Sequence, residues 1–563
     1  MERRVIWAIV LMMAVAIVPT FFLESPKKPA ASAVRPGARA PRDSGTTVPA
    51  DSSAPVPPPG VAGTPSTEAL EAPGSPVDSV VISSPLYRYV LSTRGAALVQ
   101  GSLLKYRTLG PDGRGDPVRL IPDGGRLHQL ALTAGRDTVS LADWDFVAST
   151  TAVEVKGSES VTLTAARGGV AVEISYQFEP GDYQIGIRGR VTGLGPAGGH
   201  LLIAMGDGMR QTEADSSGNW YEYGIVNKTT ESKLTKFSKL TARETVTLGG
   251  PFEWAAVKSK YFVAALLAID SGAAQISGVT ATALPNQKPV RRVATTFGMP
   301  VDGTGRFGYH LYVGPMEYPR LRAIGHDFYD INPYGWPGFR TMIRPIAVGA
   351  RWLLVWMHQN LHMAYGMVLV AFGIMIRILL WPLNQKGMRA SIRMQALQPE
   401  MQRLQEQHKN DPQRMQQEVM QLYRREGVNP MSGCWPVLLP WPILLALFFV
   451  LANTIELRGQ PFLWLPDLSQ KDPLHIIPVL MGVSMFGVSK VGMIGVPPTP
   501  QTKMMLYMMP VMMTVLFVNF ASGLNLYYFV QNVVSVPQQW YLAKERMKSR
   551  PPEPPAPAKK SKK

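Results

Sequence analysis

Cysteine is almost absent, with Cys434 the single example in 563 residues. No intramolecular disulfide can form, so any exported part must be stable through its core alone. In Gly433-Cys-Trp-Pro436, at the mouth of an apolar run, a lone thiol reads first as a small packing residue and only second as a nucleophile. Acidic residues are scarce beside basic ones, 40 against 57. Such an excess ordinarily points to nucleic acid or to an anionic membrane, but no nucleic-acid motif accompanies it, which excludes DNA as the natural partner. A Walker-type loop, a Gly-x-Ser-x-Gly elbow and a His-Glu-x-x-His helix are all missing, so ATP or peptide-bond hydrolysis has no visible machinery. His358 and His362 are four apart, yet they lack a third metal ligand nearby and read as interface residues.

What is present falls into unlike parts. Glu2-Arg3-Arg4 precedes an apolar stretch that ends at Pro19-Thr-Phe-Phe-Leu23, without a small-x-small cleavage site. Residues 1–23 are therefore expected to be an uncleaved membrane anchor with its amino end inside. Residues 24–77, rich in Pro, Ala and Ser, carry too little apolar surface to offset their ordering entropy and read as a disordered linker. Residues 78–322 change to short β-rich runs: Val80–Ile82, Ala97–Val99, Leu130–Leu132, Val161–Leu163, Val170–Ile174 and Tyr183–Ile187. Turn residues bound them, which predicts an all-β, antiparallel sandwich. Residues 323–351 form a connector, with Met342 to Ala350 amphipathic at the interface and Arg344 and Arg351 near its polar side.

Residues 352–543 predict a polytopic α-helical membrane core. Its spans run from Trp352 to Leu383, Trp435 to Ala452, His475 to about Val491, Met504 to Phe520 and Gly523 to Ala543. Residues 384–427 interrupt them with a polar helical hairpin, whose seams are Met394, Leu397, Met401 and Leu404 against Met415, Val419 and Leu422. Asp411-Pro412 supplies the cap of the return helix and Gly427 its stop. Eight Lys and Arg lie between Lys386 and Arg425, and eight more follow Leu542, the last mostly in a basic tail at 544–563. With the anchor, six spans place both basic segments and both termini in the cytoplasm, as the positive-inside rule requires.

Within the spans, Arg377 stands out. A central Arg costs about 2.5–3.5 kcal/mol on insertion scales. It either faces a wet cavity or snorkels to the inner surface, and no acidic residue of another span is a built-in mate. The final span is unusually polar, with Asn525, Gln531, Asn532, Gln538 and Gln539. These either bond between helices or line the same cavity. Met504, Met505, Met508, Met509, Met512 and Met513 crowd one span, as ordinary packing or as an adaptable apolar surface.

Several words recur in order from Tyr334-Gly-Trp336 to the carboxyl end. They are Arg377 before Trp381-Pro-Leu383, Gln398-Pro-Glu400, Val428-Asn-Pro-Met-Ser-Gly-Cys-Trp-Pro436, Pro442-Ile-Leu444, Glu456-Leu-Arg458, Asp467-Leu-Ser469 and Ser522-Gly-Leu-Asn-Leu-Tyr-Tyr528. This half resembles the YidC branch of the YidC and Oxa-type insertases. The β-rich part, with Thr93-Arg-Gly95 and Leu311-Tyr-Val-Gly314, matches the Gram-negative architecture. The resemblance implies a five-helix insertase core in the inner membrane, a periplasmic sandwich, and a hydrophilic groove centred on Arg377. Gln531 and Asn532 would wet that groove, while Tyr527 and Tyr528, with Met508 and Met512, would meet the incoming helix. Nascent membrane proteins are the implied partners, with the Sec translocon and its accessory subunits, ribosomes or targeting factors, and lipid; no cofactor and no enzymatic step is implied. Pro440-Trp441-Pro442 departs from the family, which often carries a Gln there. Two rivals remain: a secondary transporter using Arg377 as a counter-ion, and a membrane-anchored carbohydrate-binding or sugar-converting module. The first lacks matching halves, the second a His and carboxylate set.

Overall fold

The computed structural model describes residues 79–134, 137–193, 199–268, 275–332, 334–335, 339–408, 411–427, 441–496 and 500–548. The expected anchor at 1–23, the linker at 24–77, Cys434, Pro440 and the tail beyond Lys548 lie outside them.

From Ser79 to Pro315 the described residues form twenty strands in sheets of five, nine and six. Alternation makes the strands: Val293–Val301 buries every second residue, as a half-covered sheet demands. All six runs expected to be strands fall on strands, two of them starting one residue late, at Leu98 and Gln184. Trp254–Lys258 and Phe262–Leu267 show no alternation because every residue in them is buried. They lie inside the nine-stranded sheet and are covered on both faces, which removes the period-two signal. One pairing differs from the expected antiparallel order. Ser79–Ser83 pairs in parallel with Ala152–Glu154, since the chain returns to that edge by a long crossover rather than a hairpin.

His128 is buried in this domain with a ring nitrogen 2.6 Å from the Tyr309 hydroxyl. Burial disfavours the imidazolium and pushes its pKa down to about 3. An unfolded histidine titrates near pH ~6.5, so above that both states are neutral. Below it the unfolded chain takes up a proton that the folded ring refuses, and stability falls by ~1.4 kcal/mol per pH unit toward pH ~3. The thermal midpoint of the full chain in detergent is expected to fall on acidification from pH ~6.5. His128→Gln should flatten that slope.

Ten α-helices occur among the described residues. The short α1 (Ser216–Tyr221) and α2 (Tyr318–Ile324) belong to the β-domain. Then come α3 (Arg340–Leu361), α4 (Tyr365–Ala396), α5 (Gln398–Gln407), α6 (Pro412–Arg425), α7 (Trp441–Asn453), α8 (Ile476–Gly492), α9 (Pro500–Phe517) and α10 (Ser522–Lys548). The stretch from Trp352 to Leu383, expected to be one span, is two helices. The chain breaks at His362, which adopts a left-handed φ of 51°, while the His358 ring stacks on Tyr365 and bonds the Met363 carbonyl. The amphipathic helix accordingly extends eleven residues past Ala350, to Leu361. It buries Ile343, Ala347, Arg351 and Leu354 along one stripe and exposes Trp352 and Trp356. Arg351 lies on the buried stripe and not on the polar side, because it has ionic partners there.

Tyr365–Pro382 is long and apolar enough to cross a membrane; Pro442–Asn453, Ile476–Gly492 and Thr502–Phe517 are shorter apolar helices. At about 1.5 Å per residue, α4 is far longer than a bilayer needs and continues toward the polar hairpin. In the hairpin Asp411 caps α6 by accepting from the Arg414 amide at 3.0 Å, Gly427 follows in the left-handed region, and the Tyr423 hydroxyl meets Met401 Sδ. Between α9 and α10, Asn525 bonds the carbonyls of Phe517 and Phe520, which closes the tight turn.

Candidate functional site

Arg377 projects from α4 beside α10. The two helices run parallel, and two amide side chains of α10 tie them together. Gln531 donates to the Gly373 carbonyl at 2.8 Å, and Gln538 to the Trp381 carbonyl at 3.2 Å. Gly373, Arg377 and Trp381 follow one another at single-turn spacing, so the guanidinium falls between these two ties. Gly373 allows the close approach: a methyl group there would press on Val530 at 3.1 Å. Tyr527, one turn before Gln531, is fully buried against Phe372 and lies within electrostatic reach of Arg377. Arg377 itself is half-buried, its Nε is enclosed, and that atom has no hydrogen-bond partner among the described residues. Pro382 has no N–H, so the carbonyl of Ile378, the residue after Arg377, lacks its helical donor.

Packing differs between the two ends of the helices. On α4, Tyr365, Val368, Leu369 and Phe372 are buried, whereas no residue from Ile374 to Trp381 is. On α7 the buried residues are Ala446, Leu447, Val450 and Leu451, all in the half nearer the β-domain. On α8 they are Ile477, Pro478, Met481 and Gly482, again at that end. On α4, α7 and α8 burial is thus concentrated toward the β-domain, whereas α10 stays buried along both halves, with Ser535, Gln538, Leu542 and Ala543 at the end where Arg377 sits.

The remaining candidates spread around this seam. Asn532 is one step of the helix away from Gln531 and turns to α8, donating to Met481 O at 3.3 Å and Ser484 Oγ at 3.1 Å. The structure therefore does not bring it to Arg377. Tyr528 is half-buried, edge-on to Phe517 at 5.1 Å. On α9, Met508 is exposed and Met512 half-buried. That helix rests on α8, where Gly482 lies under Thr514. Sequence reasoning did not assign a role to Glu213, Arg351, Glu456 and Arg458, which form the joint between the β-domain and the helices, although it named Arg351 on the amphipathic segment and Glu456-Leu-Arg458 as a word. Their buried pairings depend on distant parts of the chain and leave only the short word Glu456-Leu-Arg458 as a signal.

A helical bundle that packs most tightly toward a large all-β domain, and that carries a guanidinium with no ion-pair partner among the described residues, defines a membrane-embedded protein with a polar seam. Residues 356–550 match the family described as 60Kd inner membrane protein, and residues 79–348 match the YidC periplasmic domain. The membrane protein insertase YidC of Syntrophus aciditrophicus (strain SB) is 31% identical over 97% of this chain and 100% of its own length. That of Geobacter sp. (strain M21) is 32% identical, covering 83% of this chain and 85% of its own. A solved structure described as an active YidC insertase with the first transmembrane domain resolved is 16% identical, at a TM-score of 0.34, over 83% of this chain and 94% of its own. The chain belongs to the YidC membrane protein insertases. It is an inner-membrane protein with a periplasmic β-domain and a helical insertase region, and it inserts membrane proteins. The transporter and carbohydrate-module readings are left without support.

Proposed function

We propose that the half of the bundle around Arg377 holds a wet groove in which Arg377 receives the polar or acidic leading end of a client. The observation that carries this is the packing asymmetry around a guanidinium with no ion-pair partner among the described residues. The buried side chains of α4, α7 and α8 gather toward the β-domain and no α4 residue from Ile374 to Trp381 is buried, so that α10, through Tyr527, Ser535 and Gln538, is the one wall buried alongside Arg377. A charge in hydrocarbon is stabilised by water or by an anionic partner, and a client end supplies the latter. Gln531 and Tyr527 line the Arg377 seam, while Asn532, Tyr528, Met508 and Met512 serve the client from the α8 and α9 side. Strongly apolar client residues each gain about 0.3–0.6 kcal/mol on entering lipid, which drives the step without ATP. The groove lowers a barrier and supplies no energy, and because insertion makes and breaks no covalent bond the step is transfer between solvents rather than an enzymatic reaction.

In this reading the core crosses the membrane several times with both termini in the cytoplasm, preceded by the anchor at 1–23 and the linker at 24–77. The β-domain spans 78–322, the connector 323–351 and the core 352–543. The hairpin at 384–427 and the tail at 544–563 then meet ribosomes, targeting factors or anionic lipid, and the protein works alone or beside the Sec translocon.

Thiol labelling tests the groove. In a Cys434→Ser chain, Gln531→Cys is expected to react with a charged, membrane-impermeant reagent added from the cytoplasmic side, and a bound client should protect it. Val533→Cys, on the outward face of α10, should stay unlabelled. Equal, slow labelling at both positions would remove the groove.

A further inference from the structure

We infer that Glu456 is a positioning residue for insertion, which pins the periplasmic end of α7 to α3 and to the end of the β-domain. This goes beyond the groove and holds whether or not Arg377 faces water.

The chain leaving α7 forms a 3₁₀ turn, Ile455–Leu457. With three residues per turn, Ile455 and Arg458 share one face. That face meets the β-domain: Ile455 packs in its core, and Arg458 Nε lies 2.9 Å and 3.0 Å from the two Glu213 oxygens. Leu457 points the other way and packs in the helical core. Glu456 lies between them. Its Oε1 accepts from the Tyr318 amide at 2.9 Å, and both its oxygens lie 3.3 Å from Arg351 Nη2.

Arg351 completes the joint from α3. Its Nη1 donates to the Tyr334 hydroxyl at 3.0 Å and its Nη2 to the Met316 carbonyl at 2.9 Å. Its side chain is 2% exposed and that of Glu456 10%, so neither charge is tolerable without the other. Three parts of the chain thus meet at one ion pair: α7 through Glu456, α3 through Arg351, and the chain leaving the β-domain through the Tyr318 amide on Glu456 and the Met316 carbonyl on Arg351. The connector's Tyr334 hydroxyl is a further partner of Arg351. The opposite half of α7 is the loosely packed one. Its orientation therefore depends on the end that Glu456 holds.

The test uses the full-length chain in its membrane, with Cys434→Ser and spin labels at Gly349→Cys on α3 and Asn453→Cys on α7. The unaltered joint should give one narrow distance. Glu456→Gln and Arg351→Gln are expected to broaden it and to lower client insertion by about tenfold, within the usual range for coupling between separate sites. Glu456→Asp should recover part of both. Asp143→Asn, which removes an exposed ion pair of the β-domain away from the joint, should leave insertion intact. Unchanged insertion in Glu456→Gln, lost insertion with the distance still narrow, or an equal loss in Asp143→Asn would each overturn the proposal. If Glu456→Gln does not accumulate, Tyr334→Phe, which deletes a single hydroxyl contact, must itself broaden the distance and slow insertion at normal protein level. Wild-type behaviour of that variant would equally overturn it.

Discussion

In cells depleted of their own insertase, the wild-type chain and Arg377→Lys are expected to restore insertion of a small Sec-independent client, and Arg377→Ala is not. The reason is charge rather than shape. A carboxylate or ammonium near the bilayer centre costs roughly 2.5–3.5 kcal/mol on insertion scales. Removing the cation that offsets it should slow the step on the order of 10²-fold, since each 1.36 kcal/mol is worth about tenfold in rate. Lysine keeps the charge but not the fork of five donors, so a modest decrease is expected for it. The comparison is read as the fraction of client inserted at matched protein levels. Full rescue by Arg377→Ala would reduce Arg377 to an anchor at the inner surface and return the enclosed Nε to an incidental feature of packing.

Glu213→Ala is expected to be the most destabilising single change at the domain joint, by about 3–5 kcal/mol. Both side chains of the Arg458–Glu213 pair are nearly out of solvent, 3% and 6% exposed. Arg458 also donates to the Arg107 carbonyl at 2.9 Å and lies over the Phe262 ring at 5.2 Å, so it cannot swing out to water without breaking both contacts. Truncating the carboxylate leaves a buried guanidinium without its counter-charge. Replacing both partners by methionine removes the desolvation penalty together with the attraction and should recover most of the loss. Thermal unfolding of the full chain in detergent is the measurement. The isolated β-domain would miss the effect, because Arg458 belongs to the helical half. Equal melting of Glu213→Ala and wild type would mean that water reaches the pair.

Much of this arrangement was legible from local chemistry. Alternation at Val170–Ile174, the cap at Asp411 and the stop at Gly427 each depend on a few neighbouring residues, and each lies where its chemistry points. Arg377 stood out because the cost of a charge among apolar residues is a property of its own segment. The break at His362 was not legible. Apolar residues continue through it, and only a ring stacked on Tyr365 with a bond to Met363 marks the turn. Gln531 and Asn532 looked equivalent, being adjacent and both amides. One step of a helix sends the first to α4 and the second to α8, and nothing local says which neighbour occupies which side.

Composition and order of residues were enough for the class of protein, because hydropathy, charge placement and short motifs are read along the chain. Which residues join the two domains was decided only by tertiary structure. Glu213 and Arg458 are 245 positions apart, and Arg351 and Glu456 are 105 apart. Each is an ordinary charged residue until folding removes the water around it. Desolvation then makes the pairing obligatory, and desolvation is a property of the folded surroundings rather than of the residue.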